Sequence, residues 1–462
     1  MIITPRLPAL LFEFAHKMKE SGFSCFLVGG AIRNILMKQK AKDYDLATNA
    51  LPEEVMGIFR RTIPTGIKHG TVTVLFKNSQ LEVTTFRIDG KYSDSRRPEE
   101  VHFSDSLLED LKRRDFTINA IAFDLINKKL VDPHQGQKDL KKKIIRAIGN
   151  PVERFNEDGL RLMRACRFAA QLGFRIEEKT FRAMKTCAAN IEAVSWERIR
   201  DELCKILGSD DPVQGLELLT ETDLNNYVLP ELLSCRGVNQ RSRHYFDVYY
   251  HLLYSCEAAP RDNLILKAAA LFHDIAKPLC LKKNETGENT FHGHENASAQ
   301  LTETILKRLK FSNNEIRDIC HLIKHHMFDY SETWSDSALR RFVSRVGLSC
   351  INDLVQLRMA DRAGQQRKKK DPGLLLQMLK RIEDLKNRDH AFGIKDLDIS
   401  GKDIMKGLKI DSGPVIGSIL DFLLEAVLDD PELNQKNQLM LLAKNFHESR
   451  IKIIEQENKN NQ

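Results

Sequence analysis

The sequence predicts an α+β head followed by an all-α remainder. Three observations carry that prediction. Runs of β-branched residues, TVTVLF at 71–76 and LEVTTF at 81–86, fall within the first 140 residues. From about residue 141 apolar residues recur at helical spacing, as in GLRLMRACRFAAQLGF (159–174) and LIKHHM (322–327). The length of 462 residues, at about 150 residues per domain, allows about three domains with ample core.

The elements follow in order. FLVGG at 26–30 reads as a strand ending in a glycine turn, and AIRNILM starts a helix. The two β-branched runs flank KNSQ and predict a hairpin. TINAIAFDL at 117–125 predicts a further strand, and KKLVDPHQGQKDL at 128–140 returns through turn residues. These signals bound a mixed-sheet head at 1–140. Helical neck and body segments follow at 141–240, and a histidine-rich helical module at 241–365. A helical tail occupies 366–462, with LLLQMLKRIEDLK and VIGSILDFLLEAVL.

Hydrophobic residues make up 42% and charged residues 29%, an ordinary globular balance. No apolar run approaches the roughly 18 residues of a membrane span. The start, MIITPRLPALLFEF, lacks a basic n-region, a long apolar stretch and a small-residue cleavage site. Nine cysteines are scattered singly with no CxxC pair, so neither a zinc knuckle nor a disulfide framework is expected. The expected compartment is the cytoplasm, with no membrane partner. Residues 1–200 hold 35 Lys and Arg against 25 Asp and Glu, while the rest hold 36 against 39. The net charge of +7 is thus an N-terminal property, and it favours a polyanionic partner there.

Three features of the head belong together. Gly29, Gly30 and Arg33 in GGAIR place a glycine turn before a helix. Free N–H groups and a positive dipole end then face a phosphate, although a plain tight turn has the same composition. In Asp43-Tyr44-Asp45, residues two apart on a strand share a face. Two carboxylates on one face repel, and Mg²⁺ relieves that conflict. Glu82 sits on a candidate strand, as a third carboxylate or as a solvent-facing residue. Arg113-Arg114-Asp115-Phe116-Thr117-Ile118-Asn119 brings basic residues to a strand entrance. Arg113 and Arg114 suit a triphosphate there, and Asn119 suits a ribose hydroxyl.

Glu157 to Arg167 (EDGLRLMRACR) is helical in pattern, with Asp158, Arg161, Arg164 and Arg167 three apart. A carboxylate beside a guanidinium fork can read a base edge. Arg164 and Arg167 can meet phosphates or the head. The bland alternative is a surface ion pair with basic neighbours.

GGAIR, DYDLATNA, KHGTVTV, EVTTFR, DGKYSDSRRPEEVHF, EDLKRRDFTINAIAFD and EDGLRLMRACRFAAQLGF occur in that order. Together they resemble the bacterial tRNA nucleotidyltransferase/poly(A) polymerase family, specifically CCA-adding enzymes, over roughly residues 20–235. The resemblance implies a nucleotidyltransferase palm in which Asp43 and Asp45 bind Mg²⁺. It implies that Gly30, Arg33 and Arg114 contact the nucleotide, within a site that includes Asp115 and Asn119. Asp158 and Arg161 become the protein template for CTP and ATP, with tRNA as the acceptor. The loop 87–98 is expected to be mobile and to help switch specificity from C to A. One departure is visible: Asn34 stands where the family usually has Asp.

Histidines concentrate within 244–365. His273-Asp274 lies in the apolar stretch AAALFHDIAK, where polar side chains need a partner. The series His251, His273, Asp274, His294, His325 and Asp361 resembles the HD phosphohydrolase superfamily. That likeness implies a divalent metal and hydrolysis of a phosphoester, or a fold kept without metal. His244, His292 and His326 are weaker candidates. Three readings compete: a CCA-adding enzyme with an HD phosphohydrolase, a poly(A) polymerase or partial A- or CC-adding enzyme, and an RNA-binding protein with relic folds.

Overall fold

The computed structural model describes residues 7–41, 43–89, 101–240, 245–366, 372–389 and 391–460. Among these residues nine strands lie in the head: β1 (Phe26–Val28), β2 (Asp45–Thr48), β3 (Thr62–Gly66), β4 (Thr71–Phe76), β5 (Ser79–Thr85), β6 (Arg87–Asp89), β7 (Val101–Phe103), β8 (Ala122–Asp124) and β9 (Lys129–Val131). Seven of them form a mixed sheet in the order β3-β4-β5-β2-β1-β8-β9, and β6 pairs with β7. Only β2 and β5 run parallel within that sheet. From residue 151 the described chain is almost entirely helical, so the α+β head with all-α continuation stands.

The predicted hairpin is present as β4 and β5, closed by Lys77 and Asn78, both with positive φ. Two consecutive left-handed residues match the right-handed twist of the flanking strands. Three expectations are corrected. The strand beginning at Phe26 ends at Val28, and Gly29 and Gly30 already form the first turn of a helix, Gly29–Leu36. Thr117–Asn119 is a 3₁₀ turn rather than strand, and β8 starts at Ala122. Asp43 precedes β2 instead of sharing a strand with Asp45. The expected mobile loop 87–98 opens as β6, and its residues 90–98 lie outside the described residues, as do the basic run 367–371 and His244.

One apolar core runs from Leu11 to Phe392 through head, body and histidine-rich module. It includes Leu375, Met378, Ile382 and Leu385 of the helix Gly373–Asp389. A second core, from Ala391 to Ala443, belongs to the tail. The division between cores therefore falls near residue 391. Arg340, itself buried, spans it by donating to the carbonyls of Leu428 at 2.7 Å and Asp429 at 3.0 Å. Those carbonyls end a helix and lack intrahelical donors, so the guanidinium caps them.

Candidate functional site

The head and the first body helices enclose a cleft of about 810 Å³. Its floor is set by sheet register. Asp45 pairs with Val28 of β1 on one side and with Glu82 of β5 on the other. Residues directly opposite one another share a face, and both carboxylates line the cleft. Burial pushes the Asp45 carboxyl above its ordinary range. Glu82 and Asp43 push the same way, and Arg114 opposes them. With Glu82 and Asp43 both acting on Asp45, the carboxylates gathered here make an oxygen donor set suited to a divalent cation. Gly29 is required beside them: its φ is +70°, and a Cβ there would lie 3.1 Å from Asp45 Oδ2.

One wall is a buried polar network. Arg33 donates to Asn119 Oδ1 at 2.7 Å and to Asn34 Oδ1 at 3.1 and 3.2 Å. Asn34 thus supplies an acceptor for Arg33 without a formal charge. Asn119 Nδ2 donates to Asp115 Oδ1 at 3.0 Å. The Asn119 amide is thus held by Arg33 on one side and Asp115 on the other while it lines the cleft. Arg164 donates twice to Asp115 Oδ2, at 2.8 and 2.5 Å. Burial opposes ionisation of Asp115, but Arg164, Asn119 and the Phe116 N–H together draw it down to about 2. Asp115 accordingly positions Arg164 and Asn119. Burial, reinforced by Arg167, lowers Arg33 to about 10. The guanidinia of Arg167, Arg33 and Arg164 lie 4.1, 5.1 and 5.4 Å from the Phe168 ring centre. That aromatic face steadies three like charges by cation–π attraction.

Asp158 and Arg161 also line the cleft, but not on one helix. The helix Pro151–Glu157 ends before Asp158, and the next begins at Leu160. This corrects the continuous helix expected over EDGLR. The break is at Asp158, whose backbone is extended (φ −148°, ψ 106°); Gly159 is back in helical geometry and admits the Asn190 backbone, because a Cβ there would lie 2.3 Å from its carbonyl oxygen. Asp158 Oδ1 accepts from the Leu160 N–H at 3.0 Å, and Oδ2 pairs with Arg198 at 2.9 Å. Arg161 donates to Glu157, to the Arg154 carbonyl at 2.9 Å and to the Arg113 carbonyl at 3.0 Å. Arg167 pairs with Glu202 at 2.6 Å. Gly30, Arg33, Arg114, Asp158, Arg161, Arg164 and Arg167 all line the same cleft.

A second constellation lies in the histidine-rich module. His251 rises from the helix Val248–Ala258, and His273 caps the apolar helix Leu264–Phe272. The first residue of His294–Arg308 and Asp361 of Ile351–Gly364 complete the approach. His251 Nε2 lies 3.1 Å from His273 Nε2, 3.2 Å from Asp274 Oδ2 and 3.4 Å from Asp361 Oδ1. Asp274 Oδ1 lies 3.0 Å from His294 Nε2 and 3.6 Å from His326 Nε2. All six residues are buried.

The second ring nitrogens explain the orientation. Nδ1 of His273, His294 and His326 meets the carbonyl three residues back, at 2.9, 2.6 and 2.6 Å. Donation from Nδ1–H leaves each Nε2 with a lone pair aimed inward, as a metal ligand requires. Asp274 Oδ1 and His294 Nε2 are buried and make no hydrogen bond among the described residues. His251, His273 and Asp361 form one group able to hold an ion, and His273, Asp274 and His326 a second.

His325 is corrected here. It ends the helix Asn313–His325, and its ring lies 4.7 Å from His321, away from the cluster. Burial and then His321 lower it to about 4. Its neighbour His326 takes the inward place, because successive helical residues point about 100° apart. Lys277, three residues after Asp274, reaches Asp274 Oδ2 at 2.5 Å and Gln240 at 2.7 Å. Sequence reading missed Lys277, Arg198, Phe168 and Asp110, and ranked His326 too low. The i,i+3 spacing from Asp274 is a signal for Lys277. Nothing in the sequence pairs Arg198 with Asp158, 40 residues away.

Comparison with known proteins agrees with this geometry. A model of the poly A polymerase head domain matches residues 25–146. A model described as "Probable RNA and SrmB- binding site of polymerase A" matches residues 173–235, and one of tRNA nucleotidyltransferase domain 2 matches residues 293–443. The CCA-adding enzyme of Lactococcus lactis is 34% identical over 91% of this chain and 93% of its own length. That of Ligilactobacillus salivarius is 48% identical over 46% of this chain, a match spanning about half, 52%, of the relative. The crystal structure of the Bacillus stearothermophilus CCA-adding enzyme in complex with CTP superposes with a TM-score of 0.72 at 28% identity, covering 96% of this chain and 98% of that one. Among the described residues no helix is long and apolar enough to cross a membrane. A relative matched at this identity over nine-tenths of both chains settles the kinship: the chain belongs to the tRNA nucleotidyltransferase family of the CCA-adding enzymes.

Proposed function

We propose that this chain adds C, C and A in turn to tRNA 3′ ends from CTP and ATP. The observation that carries the reading is the convergence of Asp45, Glu82, Arg33, Arg114, Asp158 and Arg161 on one cleft. Asp43 and Asp45 would hold Mg²⁺, with Glu82 beside them. The raised proton affinity of Asp45 between Glu82 and Asp43 is the fit expected of a cation site. Bound there, Mg²⁺ lowers the pKa of the attacking hydroxyl and steadies departing pyrophosphate.

The chain's own residues do the rest. Arg33 and Arg114 hold the triphosphate, with the first turn of the helix Gly29–Leu36 facing it. Asp158 accepts from a base amino group, and Arg161 donates to ring acceptors. The tRNA 3′-hydroxyl attacks the α-phosphorus of the bound nucleotide and pyrophosphate leaves. Arg164 and Arg167 contribute positive potential near the cleft.

The buried His/Asp cluster supports a second reading, an HD-type phosphohydrolase. His251, His273, Asp274, His294, His326 and Asp361 would hold a divalent metal, whose chemistry there is to activate water against a phosphoester. The inward Nε2 lone pairs and the orphaned Asp274 Oδ1 fit that role. Lys277 offers a cation for the scissile phosphate.

The test is incubation with tRNA lacking its 3′ end, with CTP and ATP offered singly and together. Ordered addition ending at CCA is expected. A long A tract identifies a poly(A) polymerase, and C-only or A-only products a partial enzyme. Tight tRNA binding without incorporation makes the chain an RNA-binding protein.

A further inference from the structure

Asp110 sits on the short helix Leu107–Lys112, immediately before the two arginines of the cleft wall. Its side chain is 1% exposed. Each oxygen takes one guanidinium side-on. Oδ1 accepts from Nε and Nη2 of Arg113 at 2.9 and 2.7 Å. Oδ2 accepts from Nε and Nη2 of Arg114 at 3.3 and 3.1 Å. A carboxylate has about four acceptor directions, and these four N–H groups fill them. The positions i+3 and i+4 place both arginines over the same residue. Arg114 is left with Nη1 toward Gly29, 3.4 Å from the Asn119 carbonyl and 3.6 Å from where a Gly29 Cβ would stand. The Arg113 carbonyl meanwhile accepts from Arg161 at 3.0 Å. Two adjacent guanidinia repel, and the shared carboxylate between them offsets that repulsion.

We propose that Asp110 is a positioning residue for the nucleotide triphosphate: its buried carboxylate clamps Arg113 and Arg114 as a pair, so that Arg114 meets the phosphates in one fixed orientation. The inference rests on the nucleotidyltransferase reading of the cleft. Asp110 touches no substrate and acts through the two arginines. Its effect falls on triphosphate binding and is the same for every base. An amide at this position has one oxygen and one NH₂. It can accept from one guanidinium only and turns a donor toward the other.

The test uses the full chain with Asp110→Asn. KM for CTP and for ATP is expected to rise about tenfold, the loss of one charge-assisted hydrogen-bond pair. kcat is expected to fall less, and the CTP-to-ATP preference to stay unchanged. Inorganic pyrophosphate, a probe with no base, is expected to bind more weakly by the same factor. Arg114→Ala is expected to abolish the effect of adding Asp110→Asn. Wild-type KM and pyrophosphate affinity in folded Asp110→Asn overturn the clamp while leaving the cleft reading intact. If that variant fails to fold, Arg114→Lys decides, because lysine keeps the charge but cannot fork: an unchanged KM overturns the proposal. Absence of any incorporation by the wild-type chain defeats the underlying reading instead.

Discussion

Asp158 Oδ2 and the Arg198 guanidinium form an ion pair of 2.9 Å at the wall of the cleft, joining the turn between two body helices to the helix Trp196–Leu207. Asp158 is thereby aimed by a residue distant in sequence, while Arg161 is fixed by backbone carbonyls. Removing Arg198 frees the Asp158 carboxylate to turn. Arg198→Ala is expected to reduce discrimination of CTP over UTP by about five- to tenfold. Competition between the two nucleotides on tRNA checks this; unchanged discrimination removes Arg198 from nucleotide selection.

Asp45 supports a linked prediction on pH and stability. Its proton affinity is raised by burial, Glu82 and Asp43, so the ionised form strains the metal-free fold at neutral pH. A carboxyl whose folded pKa lies above its unfolded value gains relative stability as pH falls. Asp45→Asn is expected to abolish nucleotide addition and raise the melting temperature, on the order of 1 °C. Glu82→Gln is expected to shift the acid limb of the addition rate to lower pH. An acid limb that stays in place excludes Glu82 from the electrostatics of Asp45.

The Asp115–Arg164 pair predicts acid sensitivity of opposite sign. Asp115 lies at about 2 in the fold, below the ordinary carboxylate value near 3.9. Its contribution is present above the unfolded pKa and is lost as pH falls toward 2. It amounts to about 2 kcal/mol. Asp115→Asn is expected to flatten the stability–pH curve between about pH 5 and pH 2, as urea denaturation at several pH values would show. An unaltered slope would mean that the pair contributes nothing.

The two adjacent histidines separate cleanly. His326→Ala is expected to lower hydrolysis of a simple phosphodiester by more than about 100-fold and to weaken metal retention. His325→Ala is expected to leave both within about twofold. Metal analysis after dialysis and a chromogenic phosphodiester assay check the pair. Equal losses in both variants contradict the inward placement of His326 alone.

The two centres use no residue in common, so their chemistry is expected to separate. Asp274→Asn should remove phosphoester hydrolysis and leave CCA addition, and Asp45→Asn should do the reverse. Loss of both activities in either folded variant defeats the division of labour.

Much of the cleft is legible from sequence because its parts are local. The glycine turn, the DxD pair and the arginines after Asp110 are short runs whose residue types carry the chemistry. Asp110 itself illustrates the limit: its spacing to Arg113 and Arg114 is visible, yet full burial of its carboxylate is a tertiary fact. The break at Asp158 has the same origin. EDGLRLMRACR keeps helical periodicity, yet Asp158 takes an extended backbone and pairs with Arg198, 40 residues away.

The sequence by itself determined the α+β head, the β4–β5 hairpin, the helical continuation and the residue types of both centres. Backbone propensity and side-chain alternation act between near neighbours, and the chain carries that information directly. Tertiary structure alone decided which side chains meet. Parallel pairing of β2 with β5 set Glu82 beside Asp45. Packing across 49 residues gave Asp115 to Arg164, and the end of one helix turned His326 inward and His325 outward. These choices depend on strand register, helix termini and the docking of distant elements, and no local pattern encodes them.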